Sequence, residues 1–396
     1  MTSAASRLTA ARTAKRDEFY TQYIDIQKEV EAYLEFDPNT FRNKVVYCNC
    51  DDPFESNFFK YFATNFNRLG LRKLITTSCG GSSIAGAQLS FSEYLEGGGK
   101  PQEPNAVALE IEEVNDLNGD GARDIEDVRF FLQQNPHKRT RLLQGGDFRS
   151  EECVNLLKLS DIVVTNPPFS LFSEYIALLT EHEKKFLIIG NTNAITYQDV
   201  FPHIMANRLW LGCTNFNVGM FFEVPDNWEK FHHINEQTGK KMARVSTSCW
   251  YTNIDHGRRH RPLSLMTMAD NLRYSSGLRG KSAYDKYDNY DAIEVSTYKE
   301  IPSDYDGVMG VPVTFLDKYN PDQFEIVGTL ESSDPNNPYR TRWYSAQDQK
   351  DAYFRRFGKP GNIPLNMSGV INDVKVYKRI LIRHRRTAKS SEELNN

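Results

Sequence analysis

Two rhythms of hydrophobic and polar positions alternate along this chain, and the points where one yields to the other outline its elements. Lys44-Val-Val-Tyr-Cys-Asn-Cys-Asp51 is a continuous apolar run closed by polar residues, the pattern of a strand buried on both faces. Ser56 to Leu69 then carries apolar residues at a spacing near 3.6, predicting a helix closed by Gly70, and Lys73-Leu-Ile-Thr-Thr-Ser78 predicts the next strand. Farther on, Thr140 to Gln144, Asp161 to Thr165, Lys185 to Gly190, Phe216 to Val224 and Val245 to Thr252 read as strands. Cys153 to Leu159 and Leu171 to Leu179 read as the helices between them. Ahead of all these, Ile24 to Val30 predicts a helix, and residues 1 to 16, small, polar and basic, a loose helix or frayed arm.

The repeated strand, helix, strand order predicts an α/β fold with a Rossmann-like, doubly wound parallel sheet. Residues 80 to 136 break the rhythm with glycine clusters and a hairpin from Ala87 to Phe91 and Ala106 to Ile111, and read as an insertion. Near residue 270 the composition shifts toward Tyr, Asp, Gly and Pro, which divides the chain into a catalytic domain, 1–270, and a smaller C-terminal region, 271–396.

In such a sheet the ligand lies at the carboxyl ends of the strands, so the polar residues there are the candidates. They are Asn49, Asp51 and Asp52 after the first strand, Asp147 and Phe148 after the third, and Asn166-Pro167-Pro168-Phe169 after the fourth. The last cluster suits an exocyclic amine. An adenine amine is a poor nucleophile because its lone pair is delocalised, and two acceptors, the Asn166 side-chain oxygen and the Pro167 carbonyl, can draw its two hydrogens toward tetrahedral geometry. Prolines fix φ and stiffen the turn, and Phe169 offers an aromatic face to a base taken out of its stack. Asn-Pro and Pro-Pro are also ordinary turn pairs; the buried strand before and amphipathic helix after favour the chemical reading.

No general base is needed while the amine attacks a methyl group, because the proton can leave afterwards. Asn-Cys-Asp-Asp-Pro replaces any glycine-rich phosphate cradle, which fits a cofactor without phosphate such as S-adenosylmethionine. A carboxylate at the first strand end could bind its amino group, Asp147 its adenine amine, and Phe148 its ring; for Asp52 and Asp147 singly, capping a following helix is nearly as good a reading, and their convergence favours the ligand.

Composition narrows the partners. A net charge of −4 over 396 residues excludes a globally basic nucleic-acid binder, so any such surface is a local patch. Basic residues gather at Arg258, Arg259 and Arg261, and again at Lys378, Arg379, Arg383 and Arg385, as candidate phosphate contacts; singly, each is an ordinary solvated charge. The six scattered cysteines fit reduced thiols in a cytoplasmic protein, and neither a signal peptide nor a membrane-spanning run is evident. Asp116, Asn118, Asp120, Asp124 and Asp127 stand where a calcium loop has its ligands, although Asp127 replaces the bidentate glutamate. An Asx-rich turn is the ordinary reading, and no metal is assigned.

With these residues in view, the chain resembles the EcoRI-type adenine-N6 DNA methyltransferases. The resemblance is carried by Asp17-Glu-Phe-Tyr-Thr-Gln22, Val45 to Pro53, Asp161 to Phe172, Lys184 to Ile189 and Tyr287-Asp-Asn-Tyr-Asp-Ala-Ile-Glu294. It implies that Asn166 to Phe169 hold a flipped adenine and that Tyr20 and Thr21 line the S-adenosylmethionine site. It further implies double-stranded DNA as substrate and a C-terminal target-recognition region; one chain with its own recognition region could act as a monomer, and a cognate restriction endonuclease is a candidate partner. Where relatives carry Phe-x-Gly-x-Gly, this chain has Tyr47 to Pro53, and its second strand ends without the usual ribose-binding acid. Two other readings compete: a methyltransferase acting on RNA adenine or a protein glutamine amide, and a DNA-binding regulator on a silent scaffold.

Overall fold

A computed structural model of the chain describes residues 20–49, 56–78, 106–117, 126–128, 130, 139–224, 231–236, 238–329, 346–360, 369–376 and 379–385. The arm expected at residues 1 to 16 and the hairpin half at Ala87 to Phe91 lie outside the described residues, as do Asp51, Asp52, Asn118, Asp120, Asp124 and Lys378.

The chain forms two compact units, one of Met1–Phe201 with Leu209–Gly257, the other of Pro202–Arg208 with Arg258–Asn396. They part ahead of the composition shift near residue 270, because the strand before Gly257 is still tied into the first unit: His256 Nε2 meets the Leu211 carbonyl at 3.0 Å.

In the first unit, β1 (Tyr20–Thr21) leads into α1 (Tyr23–Phe36), whose Ile26, Val30 and Tyr33 are buried. All four residues of β2 (Val45–Cys48) are buried, as its unbroken apolar run requires. The helix expected over Ser56 to Leu69 is α2 (Asn57–Thr64), capped by Ser56 Oγ accepting from Phe58 N at 3.1 Å, then a break at Asn65 and one further turn, Phe66–Leu69. Gly70, at φ 64, closes it in the left-handed region.

There follow β3 (Lys73–Thr77), β4 (Val107–Ile111), β5 (Arg139–Arg141), α3 (Glu151–Leu159), β6 (Ile162–Thr165), α4 (Phe172–Glu181) and β7 (Lys185–Asn191). After them come β8 (Trp210–Leu211), β9 (Met220–Val224), β10 (His233–Ile234), β11 (Lys241–Val245) and β12 (Ser248–Thr252).

The main sheet has the order β5-β4-β3-β2-β6-β7-β12-β8, with β3, β2, β6 and β7 mutually parallel and antiparallel strands at both flanks. The described strand of the insertion, β4, joins this sheet instead of standing apart from it. Thr140 to Gln144, expected as a parallel core strand, is the edge strand β5; pairing antiparallel to β4 makes it run in the sense of β3. The run expected over Val245 to Thr252 is split by a turn between β11 and β12. Only β12 enters the main sheet; β11 and β9 build a second antiparallel sheet, β1-β9-β11-β10.

The second unit holds α5 (Met268–Tyr274), β13 (Ile293–Glu294), β14 (Met309–Pro312), β15 (Phe324–Thr329), α6 (Ala346–Phe357), β16 (Val370–Ile371), β17 (Val374–Lys375) and β18 (Arg379–His384). Its main sheet is ordered β13-β14-β18-β15. Tyr287, Asn289, Tyr290, Ala292, Ile293 and Glu294 are buried here, so the Tyr287 to Glu294 motif builds this unit's core. Among the described residues no helix is long and apolar enough to cross a membrane.

Candidate active site

The chain goes from β2 to β3 on one side and then returns to β6 on the other, so the strand order reverses between β2 and β6. At such a reversal the loops leave in opposite directions and a crevice opens beyond the carboxyl ends. Asn49 follows β2 there and Asn166 follows β6.

Hydroxyl groups lace these strand ends together. Thr77 Oγ1, ending β3, donates to Asn49 Oδ1 at 3.1 Å and meets Tyr47 Oη at 3.1 Å, while the Thr165 hydroxyl of β6 donates to the Asn49 carbonyl. Asn49 is buried among them. Three adjacent strands thus end in one hydrogen-bonded rim, which holds the start of the Asn166 turn.

In that turn Pro167 is buried, while Asn166, Pro168 and Phe169 are half-buried. The Pro168 carbonyl accepts from Leu171 N at 2.9 Å, closing a short 3-10 turn over Phe169–Leu171. Phe169 packs against the core beside the crevice. Next, α4 begins with Phe172, buried over Gly190 of β7, where a Cβ would collide with the Phe172 ring. A rigid proline turn clamped between a hydroxyl rim and a helix start suits a site that must hold two acceptors still.

Around this crevice the other candidates differ. Gly146 (φ 70) lies hard against the Ser78 carbonyl, which brings the Asp147 turn to the end of β3. Both oxygens of Asp147 are engaged by Arg149, Oδ1 with Nε at 3.0 Å and Oδ2 with Nη2 at 2.7 Å. This is a half-exposed pair, worth no more than about 1 kcal/mol, so a ligand amine can displace it. Phe148 is 2 % exposed and packs edge-on to Tyr175 at 4.9 Å, a core contact.

Thr21 is 3 % exposed; Asn57 Nδ2 donates to its carbonyl at 2.7 Å, but among the described residues its own hydroxyl has no hydrogen-bond partner. A buried hydroxyl without a partner is costly unless something else meets it. Tyr20 pairs with Glu223 in the second sheet.

The basic candidates divide by burial. Arg379, 8 % exposed, forks onto Glu294 with Nη2 to Oε1 at 2.6 Å, and the Tyr287 hydroxyl donates to the same carboxylate. Arg259, 7 % exposed, donates to Asn207 Oδ1. Both guanidiniums are interior ion or hydrogen-bond partners in this structure, which corrects their reading as surface phosphate contacts: burial excludes a phosphate from them. Arg258 pairs with Asp317 at 2.6 Å, and Arg383 Nε bonds Glu325 at 2.6 Å. Arg261 and Arg385 are exposed.

Of the calcium-loop candidates, Asp127 is buried and accepts from Leu117 N at 2.8 Å, closing the loop's ends as an Asx-type clamp does. No cluster of three or more metal-ligating side chains occurs among the described residues.

Sequence reasoning missed Glu29. It is fully buried on α1 and accepts from Cys213 N at 2.7 Å, Thr214 N at 2.8 Å and the Thr214 hydroxyl at 2.5 Å. Burial pushes its carboxyl up to about 7. A signal was present: Glu29 shares the helix face of Ile26, Val30 and Tyr33, where a charge is out of place.

A family model described as adenine-specific methyltransferase EcoRI matches residues 7–385. Over 329 residues the chain is 44 % identical to type II methyltransferase M.EcoRI of Escherichia coli, covering 81 % of this chain and 88 % of that protein. It is 37 % identical to type II methyltransferase M.MpnI of Mycoplasma pneumoniae over 335 residues, 84 % of this chain and 86 % of the relative. Against type II methyltransferase M.MgeORF184P of Mycoplasma genitalium the identity is 36 % over 335 residues, 84 % and 87 % of the two. No solved structure matches the chain.

Proposed function

The chain belongs to the adenine-specific methyltransferase EcoRI family, and from that premise we propose that it methylates the N6 amine of an adenine within a specific double-stranded DNA sequence. It is a site-specific adenine methyltransferase; the cofactor, the flipped base and the residue roles are our reading. One observation carries that reading: the Asn166 to Phe169 turn stands at the carboxyl end of β6, beside the strand-order reversal at Asn49.

S-adenosylmethionine, when bound, supplies an activated methyl group. The residues fit it: the Thr21 hydroxyl, without a partner among the described residues, offers a buried hydrogen bond, and the sequence after β2, Asn-Cys-Asp-Asp-Pro, carries no glycine cradle that would call for phosphate. Tyr20, Thr21, Asn49, Asp51, Asp147 and Phe148 are the candidates to hold it. In this reading the main sheet is a Rossmann-like methyltransferase sheet.

Asn166 Oδ1 and the Pro167 carbonyl accept the two amine hydrogens, which aims the nitrogen lone pair at the methyl group. Phe169 supports the extruded base. Displacement is direct, and the amine proton leaves to solvent after transfer. The second unit supplies target recognition, with Arg258, Arg261, Lys378, Arg383 and Arg385 as phosphate contacts. The relatives are named type II methyltransferases, and by that likeness the protein acts in restriction-modification; a cognate endonuclease as partner and a monomeric, cytoplasmic state belong to our reading.

Sequencing methylated bases in DNA from cells expressing the protein tests this, with N6-methyladenine expected at one recurring sequence. Tritiated methyl incorporated into RNA or protein in preference to DNA would overturn it.

A further inference from the structure

The chain between β8 and β9 forms a turn that the adenine pocket leaves unused. Because β12 is antiparallel to both β7 and β8, β8 runs in the sense of β7, and the chain leaving Leu211 climbs toward the carboxyl edge that carries Asn166. Gly212 N donates to Trp250 O at 2.9 Å, and Gly219 presses on Ser246. Next to it, Thr247 O accepts from Thr192 N, just past the end of β7, at 2.6 Å.

This turn is anchored below and strained above. Glu29 holds Cys213 and Thr214, Gly212 passes too close to Glu29 to admit a Cβ, and Phe216 is buried. Asn215 (φ 65), Asn217 (φ 62) and Gly219 (φ 77) all adopt left-handed backbone, which costs the two asparagines about 1 kcal/mol each. What this arrangement displays is Val218, 63 % exposed, with its carbonyl held by Arg244 Nη2 at 2.9 Å.

A singly exposed valine is ordinary on a protein surface; what sets Val218 apart is its place on a pinned tip, beside an exposed guanidinium, on the turn that leaves the sheet toward the edge carrying Asn166. A DNA duplex gives that place a use. Extruding a base leaves a gap in the stack, which an apolar wedge fills while a neighbouring cation meets phosphate. β6 and β8 lie three strand spacings apart, roughly 14 Å, and this turn leaves the same edge of the sheet as the Asn166 turn. Resting on the adenine-methylation reading above, we propose that Val218 is the wedge that holds the duplex open while the target adenine is out of its stack, with Arg244 on the adjoining backbone.

The test uses the full-length protein and its methylation site in two duplexes, one fully paired and one with a mismatched base opposite the target adenine. A third duplex carries 2-aminopurine at the target. For Val218→Gly we expect kcat/KM on the paired duplex to fall about tenfold and the 2-aminopurine fluorescence rise to be lost. On the mismatched duplex, where unstacking costs least, activity should return to within about twofold of wild type. Val218→Leu keeps the wedge and should keep the paired activity, and S-adenosylmethionine affinity should be unchanged in both variants. An equal loss on both duplexes, or none on either, overturns the wedge. Wild-type protein that methylates no duplex adenine overturns the functional reading itself, which is a different result.

Discussion

Thr77, at the end of β3, donates its hydroxyl to the side-chain oxygen of Asn49, at the end of the neighbouring β2, at 3.1 Å. Together with the Thr165 hydroxyl on the Asn49 carbonyl, this ties three parallel strands at the rim from which the Asn166 turn springs. Thr165→Val removes one buried donor from the Asn49 carbonyl. We expect a loss of about 1–2 kcal/mol in urea unfolding and a lower kcat with the turn loosened; unchanged stability would show that the bond contributes nothing.

Asn166→Ala removes an acceptor aimed at charge that develops in transfer. Activity should fall by roughly 100-fold or more, the range seen for single preorganised groups, while DNA and S-adenosylmethionine still bind by titration calorimetry. Retained activity would refute the assigned role.

Thr21→Val separates a cofactor contact from a packing role. Replacing a partnerless buried hydroxyl with a methyl should leave stability equal or raise it by up to about 1 kcal/mol. The same change should weaken S-adenosylmethionine several-fold by calorimetry. A loss of stability with unchanged affinity would reverse the reading.

Glu29 should give stability a pH dependence. Its carboxyl lies near 7 in the fold against an ordinary 4.5, raised chiefly by burial, so the folded state binds the proton more tightly. The contribution is therefore full below the unfolded value and lost as pH rises through about 7, a difference of roughly 3 kcal/mol at most. Melting curves of wild type between pH 5 and 8 should carry this decline, and Glu29→Gln should lack it.

Arg379 and Arg385 should part company. Arg379→Ala strands the buried Glu294 carboxylate and should destabilise the second unit by about 3 kcal/mol or more. Arg385→Ala, exposed, should leave stability within about 0.5 kcal/mol but reduce the salt dependence of DNA affinity by close to one phosphate contact. Filter binding across a salt series, beside thermal melting, reads both.

Much of this was legible in the sequence. Periodicity located β2, β3, β6, β7 and the helices between them, because a continuous apolar run and a 3.6 spacing report burial directly. The Asn166 to Phe169 turn was legible for the same local reason, since prolines set their own dihedrals. The split at Ser246 and Thr247 was not: both halves are apolar enough for strands, and only pairing sends β11 to one sheet and β12 to another. Nor was the burial of Arg379, whose partner Glu294 is 85 residues away.

By itself, then, the sequence determined the elements, the chemistry of the adenine turn and the kinship with adenine methyltransferases, because all three reside in residues adjacent in the chain. Tertiary structure alone decided which strands are neighbours. That choice puts Asn49 beside Asn166, turns two arginines inward, and raises Val218 on a turn held by Glu29, a residue 184 positions from Cys213. Dihedral preferences act over a few residues, whereas hydrogen-bond partners and burial are set by whatever the rest of the chain brings alongside.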